Sequence, residues 1–421
     1  MDKKVLLNSI WMMSEKIISI FGVIFVASYV AKYVGPNIFG QIAFATSLFQ
    51  IAQVIAQLGS DVIIFKRVSK NNESGIRLIN TTLSLRAMTY ILISIPIVFI
   101  AHKSGDITGL IFIIACCISC FFTALDVFSI YYDAKLESKK NVIVNVIGIF
   151  ISLMLRWGIA LLELDPVFLA IPIILTGLIP FCIRAYVFRN NFKLKPSNMK
   201  HRKKYTKYLV VAGLTFVVST LSIAIYTRIS MLALGYIDGN YAVGVFSVAV
   251  TLASSWSFIC NAFITSTLPS IFSEKNDDIA SIKTAKLNIF IIIIGMPIIL
   301  AIAFIGHYFI LFLYGEQYVD AYIPLIILSI STMVGLLGMV SARFIARYSG
   351  YAFLSKKMLG VAIVSFILSI PLIYWYGING AAWATLLTEI LSLTIFNYLF
   401  KGGVVLRMHL LTVSLKKVFL R

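Results

Sequence analysis

The sequence predicts an all-α polytopic membrane protein of about twelve transmembrane helices, arranged as two pseudo-symmetric halves of six helices each. Three observations support this: long apolar runs repeat along the chain, Lys and Arg crowd every second connection, and polar positions recur at a fixed offset. Hydrophobic residues form 60% of the 421 residues, and the mean hydropathy is +0.95. Both values exclude a soluble enzyme, because a soluble domain of this length is much more polar.

The apolar runs are each long enough to cross the ~30 Å hydrocarbon core of a bilayer as a helix. In chain order they cover residues 9–31, 38–62, 79–101, 107–131, 142–162, 167–188, 208–235, 241–267, 287–311, 321–342, 358–376 and 380–400. The first run continues past the usual length of a signal peptide, so it is interpreted as a retained span.

The basic residues between the runs predict the orientation of the chain. The N-terminus, alternate connections and the C-terminal tail hold 29 of the 36 Lys and Arg residues, whereas the other connections hold only Lys32 and Lys103. Because short Lys/Arg-rich loops stay in the cytoplasm, both termini are predicted to be cytoplasmic. The net charge of +19 is then explained by loops that face anionic lipid, and no nucleic-acid partner is expected.

A basic segment near the middle of the chain divides the sequence into two halves. The predicted domains are an N-terminal lobe over 1–188, a basic cytoplasmic linker over 189–207, a C-terminal lobe over 208–400 and a basic amphipathic cytoplasmic tail over 401–421. At an offset of 204 residues, Gly35 aligns with Gly239, and the polar positions of the second run align with those of the eighth. An even number of spans in each half makes this a parallel repeat.

Polar side chains form a stripe along one face of the second run and of the eighth run, assuming 100° per residue. Two matched stripes of this length favour a shared water-filled cavity, although hydrogen bonds between packed helices are the alternative. The substrate-binding candidates from these stripes are Gln50, Gln53, Gln57, Ser254, Ser257 and Asn261.

Charged residues inside the runs are expensive at membrane depth and usually face a cavity or a partner. The basic ones, Lys16, Arg86, Arg156 and Arg228, are further substrate-binding candidates. Guanidinium groups suit a phosphate or pyrophosphate, while structural ion pairing is the alternative for each. The acidic ones, Glu15, Asp61, Asp126 and Glu389, are candidates for proton or Na⁺ coupling.

The sequence contains no nucleotide-binding phosphate loop, no cluster with metal-ligand spacing and no recognisable nucleophile–base pair. No cofactor, metal or enzymatic activity is therefore expected.

Three segments resemble the polysaccharide-exporter family, the Wzx-type flippases of O-antigen and related repeat units. That family belongs to the MOP superfamily with the drug-extruding MATE proteins and the lipid II flippases. The segments are Tyr33–Gly40 with the continuation Leu58–Asp61 and Phe65–Arg67, Leu313–Tyr318 with Ala321 and Pro324, and Tyr376–Thr385.

This resemblance implies two six-helix lobes around a central cleft that is lined by spans one, two, seven and eight. It also implies a substrate, an undecaprenyl-pyrophosphate-linked oligosaccharide that is turned from the inner to the outer leaflet of a bacterial cytoplasmic membrane. Polysaccharide polymerase or assembly proteins are the implied protein partners. The alternatives are a MATE-like ion-coupled antiporter of small molecules, or a non-transporting component or enzyme of envelope-glycan assembly.

Overall fold

The computed structural model describes the backbone of residues 3–103, 106–192 and 199–414. Within these ranges it leaves out most side chains before residue 22 and many between 199 and 215. Throughout the described ranges every regular element is helical. The chain divides into two compact units, which we call the N-terminal unit, Met1–Ala224, and the C-terminal unit, Ile225–Arg421. The domain boundaries expected from the sequence stay a prediction.

The N-terminal unit is built from seven complete helices and the start of an eighth. They are α1 (Lys3–Gln57), α2 (Ser60–Lys70), α3 (Asn72–His102), α4 (Ile107–Leu125), α5 (Phe128–Ala134), α6 (Ser138–Leu161), α7 (Ala170–Asn191) and α8 (Met199–Ile237). Helix α4 packs between α1 and α7, and α6 contacts the same two helices. Together with α3 these helices form a core that holds Phe49, Tyr90 and Phe112, all buried. Van der Waals packing between helices stabilises such a core within lipid.

The C-terminal unit contains the end of α8 and six further helices. They are α9 (Asn240–Ser254), α10 (Ser257–Phe272), α11 (Asp277–Tyr314), α12 (Tyr322–Arg347), α13 (Tyr351–Leu391) and α14 (Val404–Val413). Helix α12 lies at the centre, since it contacts α9, α10, α11 and α13. Helix α14, in the predicted tail, buries Val405 and Met408 against this unit and contacts α11 and α12.

Among the described residues, nine helices are long and apolar enough to cross a membrane, or ten if α9 and α10, bent by 42°, count as one span. The protein is therefore a polytopic membrane protein. Two of the nine contain a glycine with non-helical dihedral angles, Gly35 in α1 and Gly377 in α13. Both glycines fall where the sequence predicts a connection between two spans. The exact number of twelve stays a prediction.

The glycines aligned by the sequence offset share one unusual backbone conformation. Gly35 has φ 74° and ψ 169°, and Gly239, the residue before α9, has φ 84° and ψ −174°. This region of dihedral space is accessible essentially only to glycine, because a Cβ atom would clash with the backbone. The correspondence between Gly35 and Gly239 is therefore conformational as well as positional.

Two runs that were expected to be continuous helices are broken. The second run ends its first helix at Gln57, passes through Leu58 and Gly59 with positive φ, and restarts at Ser60. The eighth run bends between Ser254 and Ser257. Close packing explains the first break, because a Cβ atom on Gly213 of α8 would lie only 2.2 Å from the Leu58 carbonyl oxygen.

Candidate functional site

A buried arginine of α3 contacts the residues that follow the helix break in the N-terminal unit. Arg86 of α3 is only 1% exposed and donates to Ser60 Oγ from Nε (3.1 Å) and Nη2 (2.5 Å), and to the Ala124 carbonyl from Nη1 (2.9 Å). Its Nη2 also pairs with the carboxylate of Asp61, which is 46% exposed. Arg86 and Asp61, predicted for substrate binding and ion coupling respectively, are thus paired with each other.

A second buried ion pair lies in the same unit. Arg184 of α7 donates to Asp126 Oδ2 from Nε (2.8 Å), and its Nη1 and Nη2 donate to Asn145 Oδ1 at 2.8 and 2.9 Å. Asp126, at the end of α4, was predicted to be a coupling group. Arg184 was not singled out from the sequence, although a basic residue within a predicted span was the available signal.

Arg156 of α6 has a different environment from Arg86 and Arg184. Its Nε is buried and has no hydrogen-bond partner among the described residues. The guanidinium interacts electrostatically with the Cys116 thiol on α4, and Cys116 Sγ lies 3.4 Å from Thr46 Oγ1 on α1. The guanidinium therefore sits beside the face of α1 that carries the polar stripe.

Gln50 lies one helical turn beyond Thr46 on this face of α1. Its Oε1 is also buried without a hydrogen-bond partner in the described part of the chain. A buried donor and a buried acceptor that both lack partners are costly, since each forfeits its hydrogen bonds to water. We call the group of side chains formed by Thr46, Gln50, Cys116 and Arg156 the Arg156 cluster. Its chemistry suits a ligand with an anionic group and hydroxyl groups.

The remaining polar candidates are partly or fully accessible. Gln53 and Gln57 are half-buried on α1, and Ser257 and Asn261 are half-buried on α10. Ser254 is exposed at the end of α9, where its Oγ donates to the Thr251 carbonyl at 3.3 Å. The bend between α9 and α10 therefore lies within the stripe, as breaks in transporter helices often lie at ligand sites.

Arg228 of α8 is half-buried in the C-terminal unit and is not free of partners. Glu15 and Lys16 are candidates whose side chains lie outside the described residues.

Glu389 lies on α13 against Gly335 of α12, where a Cβ atom would be 3.6 Å from the carboxylate oxygen. Two titratable groups interact with it electrostatically, Tyr226 of α8 and Lys357 of α13. Lys357 was assigned to a cytoplasmic connection from the sequence, but only 4% of it is exposed. It is a second buried charge that the sequence analysis missed, because it falls at the edge of an apolar run.

An apolar groove of about 560 Å³ lies between α3 and α4. Its lining includes Tyr90, Ile95, Phe99 and Phe121, and none of the predicted site residues. Ser94 and His102 also line this groove, but most of its lining is apolar and no Lys or Arg contributes to it, so it is not the polar site predicted from the sequence.

The chain resembles known proteins in sequence and in fold. A family model described as polysaccharide biosynthesis protein matches residues 5–275. No curated protein matches the sequence. Among solved structures, lipid II flippase MurJ in an inward closed conformation superposes with a TM-score of 0.66 and 16% identity, covering 99% of this chain and 92% of that one.

Two transporters of the MOP superfamily show the same fold. An inward-facing multidrug resistance MATE transporter has a TM-score of 0.62 at 16% identity, covering 97% of this chain and 96% of that one. A MOP superfamily transporter from Pyrococcus furiosus has a TM-score of 0.56 at 15% identity, covering 98% and 96%. Since the family model spans more than half of the chain, this protein belongs to the polysaccharide biosynthesis protein family, with the fold shared by MurJ and the MATE transporters.

Proposed function

We propose that this protein is a flippase that moves undecaprenyl-pyrophosphate-linked oligosaccharide repeat units, of O-antigen or a related surface polysaccharide, from the cytoplasmic to the outer leaflet. The family membership supports a role in polysaccharide biosynthesis, and the fold is that of a protein titled a lipid II flippase. The proposed location is the bacterial cytoplasmic membrane, with both termini in the cytoplasm.

The observation that carries this proposal is the buried Nε of Arg156, which has no hydrogen-bond partner among the described residues. A buried donor on a charged group is destabilising when it lacks an acceptor, so a ligand that supplies an acceptor is stabilised at this position. A pyrophosphate supplies several acceptor oxygens and negative charge to the planar guanidinium. The neighbouring Gln50 amide oxygen accepts hydrogen bonds from sugar hydroxyls.

The proposed mechanism is alternating access. The Arg156 cluster binds the pyrophosphate, the amide and hydroxyl side chains of the stripes contact sugars, and the prenyl chain stays in the lipid. The sequence contains no nucleotide-binding phosphate loop of the Gly-x-x-x-x-Gly-Lys type, so the proposed energy sources are an ion gradient or the supply of substrate.

The test is the sidedness of lipid-linked oligosaccharide in cells depleted of the protein. We expect the intermediate to accumulate on the cytoplasmic leaflet, and wild-type protein to restore transfer. Arg156→Ala should fail to restore it, whereas Arg77→Ala, which removes an exposed guanidinium of α3, should succeed. Normal sidedness after depletion would reject the flippase and favour a MATE-like antiporter or a non-transporting component of glycan assembly.

A further inference from the structure

The four carboxylates predicted for ion coupling do not have equal surroundings. Asp61 is paired with Arg86 and Asp126 with Arg184, each by direct hydrogen bonds, and the Glu15 side chain lies outside the described residues. Glu389 has no direct ion pair with any described residue, since no basic nitrogen lies within 4 Å of its carboxylate. Of the three carboxylates with described side chains, Glu389 is therefore the one that has no direct ion pair.

Lys357 is the basic group that acts on Glu389 from a distance. It lies on the same helix as Glu389 but on the other side of the break at Gly377, and its side chain is buried. The two groups interact electrostatically without touching. A half-buried acid and a buried base separated in this way form a pair in which the carboxylate is attracted by the ammonium group but still has free oxygens.

Two uncharged residues also lie near Glu389. Gly335 of α12 lies against its carboxylate, and Tyr226 of α8 interacts with it electrostatically. Lys357 in turn has His409 of α14 as a neighbour. The helix that carries Glu389 continues into a π-helical turn, Ser392–Phe396, a local irregularity that is often found at functional sites.

We propose that Glu389 is the proton-binding group of the transport cycle, with Lys357 as its counter-charge, and that the coupling ion is H⁺ and not Na⁺. In one state a proton from water binds a Glu389 carboxylate oxygen and makes the side chain neutral, while Lys357 keeps its own proton. In the other state the proton returns to water, and the ionised Glu389 and protonated Lys357 attract each other. This inference rests on the proposed transport function and names the ion that drives it.

The choice of H⁺ over Na⁺ follows from the ligands that are present. A sodium ion requires several oxygen ligands around it, as hard cations generally do. The residues recorded beside Glu389 in the described part of the chain, Gly335, Tyr226 and Lys357, bring one hydroxyl group and one ammonium group. The nearby Lys357 ammonium also repels a second cation, whereas protonation of Glu389 needs a single free oxygen.

The first experiment detects the proton without a transport substrate. In pH-difference infrared spectra of the purified full-length protein, the wild type should show a titrating carboxylic-acid C=O band that Glu389→Gln removes. Glu316→Gln, at an exposed carboxylate in the turn before α12, should retain the band, and Lys357→Gln should shift its titration midpoint. A wild-type spectrum that Glu389→Gln leaves unchanged would overturn the assignment, as would a band displaced by NaCl but not by KCl.

The second experiment measures transport in proteoliposomes with a fluorescent polyprenyl-pyrophosphate-linked disaccharide as the probe. An imposed pH gradient should change the wild-type flipping rate by about 5-fold or more, and Glu389→Gln should respond to neither a pH nor a Na⁺ gradient. The double variant Glu389→Gln/Lys357→Gln removes both charges of the pair, so neither is left without its counter-charge. It provides the same test if the single variants are unstable. Absence of flipping by the wild type would reject the proposed function, whereas flipping that Glu389→Gln leaves gradient-dependent would reject only this inference.

Discussion

Arg184 and Asp126 form a buried ion pair in which Arg184 Nη2 lies 2.6 Å from Asp126 Oδ2, with side chains 6% and 9% exposed. The pair joins the end of α4 to α7 and also holds Asn145 of α6. A residue that was expected to exchange ions is therefore occupied in joining three helices of the N-terminal unit.

Removing one partner of this pair should destabilise the protein strongly. Arg184→Gln leaves the Asp126 carboxylate buried without its counter-charge, which costs about 3–5 kcal/mol. Thermal unfolding of the purified protein should show this loss, and the double variant Asp126→Asn/Arg184→Gln should recover much of it. Equal stability of Arg184→Gln and the wild type would show that the pair is not structural.

Arg156 should behave in the opposite way when it is replaced by an apolar residue of similar length. Arg156→Met removes a guanidinium whose buried Nε has no hydrogen-bond partner in the described part of the chain, so stability should rise by about 1–3 kcal/mol. Binding of polyprenyl-pyrophosphate, measured with the same purified variant, should be lost. A less stable Arg156→Met protein would instead identify Arg156 as a structural residue.

The glycine before α9 should not tolerate a side chain. Gly239 has open space around an added Cβ atom but a φ of +84°, so Gly239→Ala should lose about 1–3 kcal/mol from backbone strain alone. Gly338→Ala is the matched control, because Gly338 also has open space but lies within α12. Thermal unfolding should show no loss for this control, and two equal effects would contradict the backbone explanation.

The docking of α14 should depend on pH through His409. Its Nε2 lies 2.9 Å from Ser341 Oγ, and its Nδ1 lies 3.2 Å from Tyr398 Oη. Burial, together with the Lys357 charge, lowers the pKa of His409 from 6.5 to about 4. Between these values the unfolded state binds more protons than the native state, so stability should fall as the pH falls from 6.5 to 4.

Melting temperatures of the wild type and of His409→Asn across this pH range measure that contribution. The variant should show a shallower dependence, and His102→Asn, at the exposed last residue of α3, should keep the wild-type slope. Identical slopes for wild type and His409→Asn would exclude His409 as the cause.

The amino-acid sequence by itself determined the membrane class and the helical content. It also placed the conformationally special Gly35 and Gly239 in equivalent positions. These properties are local: the length of an apolar run sets whether a helix can cross the bilayer, and a positive φ selects glycine wherever it occurs. The family could be identified for the same reason, since its turn motifs are short stretches such as Tyr376–Thr385.

Only the tertiary structure decided which charges are neutralised. Asp126 and Arg184 are 58 residues apart in the chain, and Arg86 reaches both the break after Gln57 and the end of α4, so no local pattern distinguishes them from Arg156 or Glu389. The sequence assigned Lys357 to a connection between spans, whereas the structure places it on α13 with its side chain buried. Whether a charge is paired depends on which helices folding brings together. The same packing determines the free-energy cost of burying that charge.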